Sequence, residues 1–155
     1  MNQVSKRPSS EDEPDDWSTP LIGMDPRIDL VTSSYRQHQL IVASGRVPVR
    51  VTHGHPRFRL GYELEATIKE IAPTKSLLAI QDLSEFDVAY RAQLDLCGVT
   101  RIAQRLNAVS QQFGQRGLVL LCFEDLRRLG EFSCHRRSFA RWWEAQTGEE
   151  VPELI

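Results

Sequence analysis

The stretch GLVLLCFEDLRRLGEFSCHRRSFARWWEAQTG, Gly117 to Gly148, decides the fold. It opens with Leu118-Val119-Leu120-Leu121-Cys122-Phe123, an apolar run bounded by Gly117 and by Glu124-Asp125. So short a run with such borders predicts a strand buried on both faces, as in a parallel sheet covered by helices. A polar segment with Gly130 follows, then Ser133-Cys134-His135-Arg136-Arg137 and an amphipathic helix carrying Phe139, Trp142 and Trp143 on one stripe. Adjacent helical residues sit about 100° apart, so one tryptophan is expected in the core and the other half exposed. Buried strand, loop and basic helix start in that order predict a ligand edge of an open α/β sheet.

Upstream of this stretch, two helices are expected. Ser84 is a candidate N-cap with Asp87 in the capping-box position, the stripe is Phe86, Tyr90, Leu94 and Cys97, and Gly98 ends the helix. The next runs from about Thr100 to Phe113 on Ile102, Leu106 and Val109, and Gly114 stops it. Further back, Ile28 to Tyr35 (IDLVTSSY) and Val47 to Thr52 (VPVRVT) read as strands. Pro48 marks the second as a strand start or an edge. Residues 37–46 and the segment His53 to Arg59 read as loops, and Leu64, Ile68 and Ile71 fit a short helix that Pro73 stops. Leu77 to Ile80 is too short to assign.

Residues 1–24 carry three prolines and five acids against two bases, −3 of the total charge of −2. Such a composition buries too little apolar surface to offset its ordering entropy, so a disordered acidic tail is expected ahead of one domain over residues 25–155. The near-neutral remainder argues against bulk attraction to nucleic acid or membrane. No apolar run is long enough to span a bilayer, and the start lacks a signal segment, so a cytoplasmic protein is expected. Three cysteines, Cys97, Cys122 and Cys134, do not suggest a disulfide framework. The bases comprise 16 Arg and 3 Lys, which fits bidentate phosphate recognition or simply an Arg-rich codon bias.

Several constellations could carry chemistry. Arg136 and Arg137 in a helix's first turn oppose its dipole, a misfit that an anionic ligand, or Glu124, Asp125 or Glu131, would relieve. Cys134 beside His135 and two arginines favours a thiolate, hence a candidate nucleophile, whereas Cys122 reads as an inert core residue. A phosphatase-type loop fails, since the arginine it needs, Arg141, lies seven residues on, inside the helix. Cys122, Cys134, His135, His53 and His55 are zinc-type ligands, but with no Cys-x-x-Cys or His-x3-His spacing no metal is expected. Arg36, just past the first strand, and Arg50 and Arg57 around the second would line the same crevice. Trp143 offers a base-stacking surface, though packing is the simpler role.

LVLLCFE (118–124) followed by CHRRSFARWWE (134–144), with VTSSYR (31–36) and VRVTHGHPRFRLGY (49–62), resembles the Domain of Unknown Function 488 family. The terminal GEEVPEL resembles its actinobacterial or phage-borne branch. The resemblance runs from about residue 28 to 155 and implies a small α/β domain of no established activity. Its signature positions fall here on Arg36, Cys122, Glu124, Cys134, His135 and Arg136. LRRLGEFS, between Glu124 and Cys134, is longer than in many relatives.

Together these readings predict a three-layer α/β domain with a mostly parallel sheet, strand 118–123 central and VTSSYR and VPVRVT flanking it. The expected function is an enzyme or binding domain for a phosphorylated small molecule, a nucleotide or a nucleic-acid end. Arg36, Arg50, Arg57 and Arg136 would bind the anion, His135 would act as general acid/base, Glu124 would orient it or bind a metal, and Cys134 is the candidate nucleophile. The alternative is a non-catalytic nucleic-acid or protein interaction module. No cofactor is named by the sequence.

Overall fold

The computed structural model describes residues 28–123 and 134–154. The expected tail, the Ser133 cap and Glu124 lie outside these residues. In chain order the elements are β1 (Leu30–Ser34), α1 (His38–Ser44), β2 (Val47–Arg50), β3 (Ala66–Thr67), α2 (Lys75–Leu78), α3 (Leu83–Cys97), α4 (Val99–Gln112), β4 (Leu118–Cys122) and α5 (His135–Thr147). The sheet is parallel throughout, in the order β1-β4-β2-β3, so the expected central strand and its two neighbours stand as read.

The apolar run of β4 is continuous because both faces are covered. Leu118 and Leu120 pack into the larger core with Tyr90, Leu94, Ile102, Leu106, Phe139 and Trp143. Val119 and Leu121 meet Val31, Tyr35 and Ile41 in a smaller cluster on the opposite side. Alternation along a strand sends successive side chains to opposite layers, so one sequence stretch feeds both cores. Three layers result, with α1 on one face and α3, α4 and α5 on the other.

Pro48 sits inside the sheet rather than at its margin. Val47 and Val51 donate to Gly117 and Leu121 of the β4 side, while the Pro48 carbonyl accepts from Glu65 on the β3 side. The missing N–H thus faces a two-residue edge strand and costs no bond to the central strand.

Four expectations change. Residues 37–46 contain α1, whose seven residues bury Ile41 alone and whose N-cap Gln37 makes no side-chain bond, so no periodic or capping signal advertises it. Gly45 ends it at φ 70°. The expected helix at 64–71 is instead a short strand and a turn: Ile68 donates to Arg50 as β3 joins the sheet, residues 69–71 turn, and Leu64 packs in the small cluster whereas Ile68 and Ile71 enter the large one. Both tryptophans are buried, because α5 packs against both the sheet and α3, and Trp142 Nε1 donates to Asp95 at 2.8 Å. The α3 cap shifts slightly: Asp82 accepts from Ser84 and Glu85, and Asp87 instead bonds Ser138 of α5.

Tyr90 ties the helical layer to the β3 exit through its hydroxyl, which donates to the Ile71 carbonyl at 2.7 Å in the core. Tyr90→Phe keeps the ring stacked on Phe86 but strands that carbonyl. A loss of about 1–2 kcal/mol in urea unfolding is expected; an unchanged midpoint would show that the carbonyl finds another donor.

Candidate functional site

The sheet's C-terminal edge gathers the ends of β1, β4 and β2 beside the first turn of α5. Cys122 closes β4, and Cys134 is the N-cap of α5 in extended geometry. Their sulfurs are joined as a disulfide across 12 residues of sequence, leaving Cys97 as the free cysteine. The odd cysteine count had pointed away from a disulfide, an expectation this bond corrects, while Cys122 is buried in the strand as read. Count alone carries no information on which two sulfurs the strand end and helix start bring together.

Arg136 reaches back over this pair. Its Nη1 donates to Cys122 Sγ at 2.8 Å and Cys134 Sγ at 3.2 Å. Its other side is clamped by Glu153, with Nε to Oε1 at 3.0 Å and Nη2 to Oε2 at 2.7 Å. The Arg136 side chain is 0% exposed and that of Glu153 12%, so the fork-to-fork pair is buried rather than a surface bridge. Glu153 also accepts from Thr32 Oγ1, to which Arg137 donates in turn. These contacts supply a structural answer to the charge misfit in the first turn of α5. The Arg136 guanidinium, expected to bind an anion, here faces a carboxylate and two sulfurs.

His135 is buried, its Nε2 2.7 Å from the Val51 carbonyl and its ring edge-on to Tyr90. A carbonyl only accepts, so Nε2 carries the proton and the neutral ring keeps its lone pair on Nδ1. Burial first, and then the Arg136 charge, pull the imidazole down to about 4 against the raising effect of the Val51 bond. A ring this hard to protonate, with its one N–H committed to the backbone, does not suit the general acid/base role expected near neutral pH.

The remaining arginines lie outward. Arg50 donates to the Thr52 and His53 carbonyls, just past Val51, and so braces its own loop rather than presenting a free fork. The exposed Arg36 guanidinium stacks over Phe58, 4.0 Å from the ring centroid, and Arg57 is exposed beside it in sequence. Tyr35, packed against Phe58 and Phe123, bonds Thr52 through its hydroxyl and separates these outer residues from the buried centre. The structure thus unites Cys122, Cys134, His135 and Arg136 and leaves Arg36 and Arg57 on the exposed side of the edge; Glu124 lies outside the described residues.

Ligand atoms of Cys122, Cys134 and His135 lie within 4.8 Å of one another. His53 and His55 are exposed and belong to no such group among the described residues. Sequence reasoning missed Glu153 entirely. Its signal was present in Val151-Pro152-Glu153-Leu154, where a buried valine and a β-bridge to Thr32 continue the sheet after the last helix.

No family model, no curated protein and no solved structure matches the chain.

Proposed function

We propose that this domain carries out thiol–disulfide exchange through Cys122 and Cys134. The supporting observation is the Arg136 guanidinium donating to both sulfurs while anchored by Glu153. A fixed cation against sulfur favours the anionic form that exchange must generate. Both cysteines are buried, Cys134 at 4% exposure as a residue and Cys122 at 0% with the shorter Arg136 contact, so we assign the attack to Cys134. An incoming low-molecular-weight thiolate attacks Cys134 Sγ, the Cys122–Cys134 bond breaks, and a new S–S bond joins the incoming sulfur to Cys134. The electron pair leaves on Cys122 Sγ, facing Arg136. A second thiolate of the same class attacks the mixed disulfide at the incoming sulfur and expels Cys134. Two electrons reach the protein, the two external thiols end as one disulfide, and their protons pass through solvent to the cysteines. The cytoplasmic setting expected from the sequence favours a bond that cycles over one that is permanent. In the described residues no helix is long and apolar enough to cross a membrane. Kinship with the Domain of Unknown Function 488 family, resting on Cys122 and the Cys134-His135-Arg136 run, belongs to the same proposal.

The test is a reduction series on folded protein. Wild type treated with a small thiol, without denaturant, should expose two additional titratable thiols and lose them again on adding the matching disulfide. Cys122→Ser should trap a mixed disulfide on Cys134, whereas Cys134→Ser should trap much less. Thiols that appear only after unfolding would reduce the bond to a structural cross-link.

The second reading is a phosphorylated ligand held on the outer edge, favoured by the exposed Arg36 and Arg57 beside Phe58. Thermal stabilisation by phosphate or a nucleotide that Arg36→Ala abolishes would support it.

A further inference from the structure

We propose that the reduced Cys122–Cys134 pair binds a zinc ion together with His135, making the centre a redox-gated metal site. The inference rests on the dithiol form proposed above and adds a ligand to it.

Geometry carries the argument. A tetrahedral zinc with two thiolates and one imidazole spaces its ligand atoms about 3.5–3.8 Å apart, from bond lengths near 2.3 and 2.0 Å. Here the three candidate atoms already lie within 4.8 Å of one another, on a strand end and a helix start. Opening the S–S bond lets the sulfurs separate toward that spacing by side-chain rotation. With Nε2 donating to the Val51 carbonyl, the nitrogen assigned to the metal is Nδ1, the tautomer arrangement common for a metal-binding imidazole. Two buried thiolates side by side also need positive charge, and the Arg136 guanidinium that reaches them is shared with Glu153. A divalent soft-ligand cation supplies it, with Arg136 then donating to metal-bound sulfur. Among the described residues the site offers three protein ligands, two thiolates and one imidazole, a donor set suited to zinc.

The ring is buried and uncharged, so it loses no proton when the metal arrives, and the cost of loading falls on the two thiols. Oxidation then has a defined outcome: forming the Cys122–Cys134 bond withdraws two of the three ligands and releases the ion.

The experiment uses the full chain, reduced anaerobically and then freed of reductant, with thiols counted first. Cobalt is added as a spectroscopic stand-in for zinc. The expected result is one ion per chain, with thiolate-to-cobalt charge-transfer absorption and tetrahedral ligand-field bands that zinc displaces and a disulfide oxidant abolishes. Cys122→Ser should remove most of the charge-transfer intensity, and His135→Gln should weaken affinity at least tenfold. Should either variant fail to fold, zinc protection of the wild-type thiols against alkylation reads the same site. Two new thiols in a folded protein with neither cobalt bands nor protection would overturn the metal inference and spare the exchange reading. Absence of new thiols without denaturant would defeat both.

Discussion

Glu153→Ala is expected to destabilise the domain by about 3–5 kcal/mol, the range found when one partner of a buried ion pair is removed. The substitution takes away both oxygens that face the Arg136 fork and the acceptor of Thr32 Oγ1. A buried guanidinium loses far more than a rim residue would, because water does not take the carboxylate's place at full strength. Glu153→Gln should cost less, since an amide oxygen keeps one acceptor. Replacing both members with apolar residues, Arg136→Met with Glu153→Leu, should recover much of the loss. Chemical unfolding of the four proteins decides the matter. If Glu153→Ala shifts stability by under about 1 kcal/mol, the pair behaves as a surface bridge and its anchoring role fails.

Acid provides the second large effect. Within the disulfide form, the His135 ring titrates at about 4 against 6.5 for the unfolded chain. A depressed folded value means the stability is whole above about pH 6.5, falls as pH drops, and is fully lost once pH passes below about 4. At about 1.4 kcal/mol per pH unit the total is roughly 3 kcal/mol. Burial is the main reason that protonation is resisted, and the Arg136 charge adds to it against the raising effect of the Val51 bond. Unfolding free energies across this window for wild type and His135→Gln separate this contribution from the carboxylates, which titrate in both. Equal slopes in the two proteins would refute it.

Most of the scaffold was legible because its signals are local. The β4 run, the Gly98 and Gly114 stops and the α3 and α4 stripes each lie within a short window, and each appears within about two residues of where periodicity places it. α1 and β3 were not legible. A helix burying one side chain has no stripe, and a two-residue strand is defined by its partner, Val49 and Arg50, rather than by itself. The site was half visible. Cys134, His135 and Arg136 stand together in the sequence, so their proximity was plain, but their roles were not. Those roles depend on Val51, 84 residues from His135, and on Glu153, 121 residues from Thr32. Such pairings follow from the sheet order, which short-range patterns do not encode. The arginines divide for the complementary reason: residues just past strand ends share an edge, but Arg136 is buried and Arg36 and Arg57 are exposed.

Both margins of the sheet are guarded. Along β1, Thr32 donates to the Pro152 carbonyl and accepts from the Leu154 N–H, so the chain's own last turn of extended backbone occupies the row a foreign strand would use. Along the far side, β3 offers two residues, too little to template a ladder. Association by strand addition, the common path from an open parallel sheet to fibrous aggregate, therefore has few places to begin while the C-terminal segment stays seated. Clipping the chain after Gly148 would expose the β1 margin along with the Arg136 fork, and concentration-dependent aggregation should accompany the loss of stability.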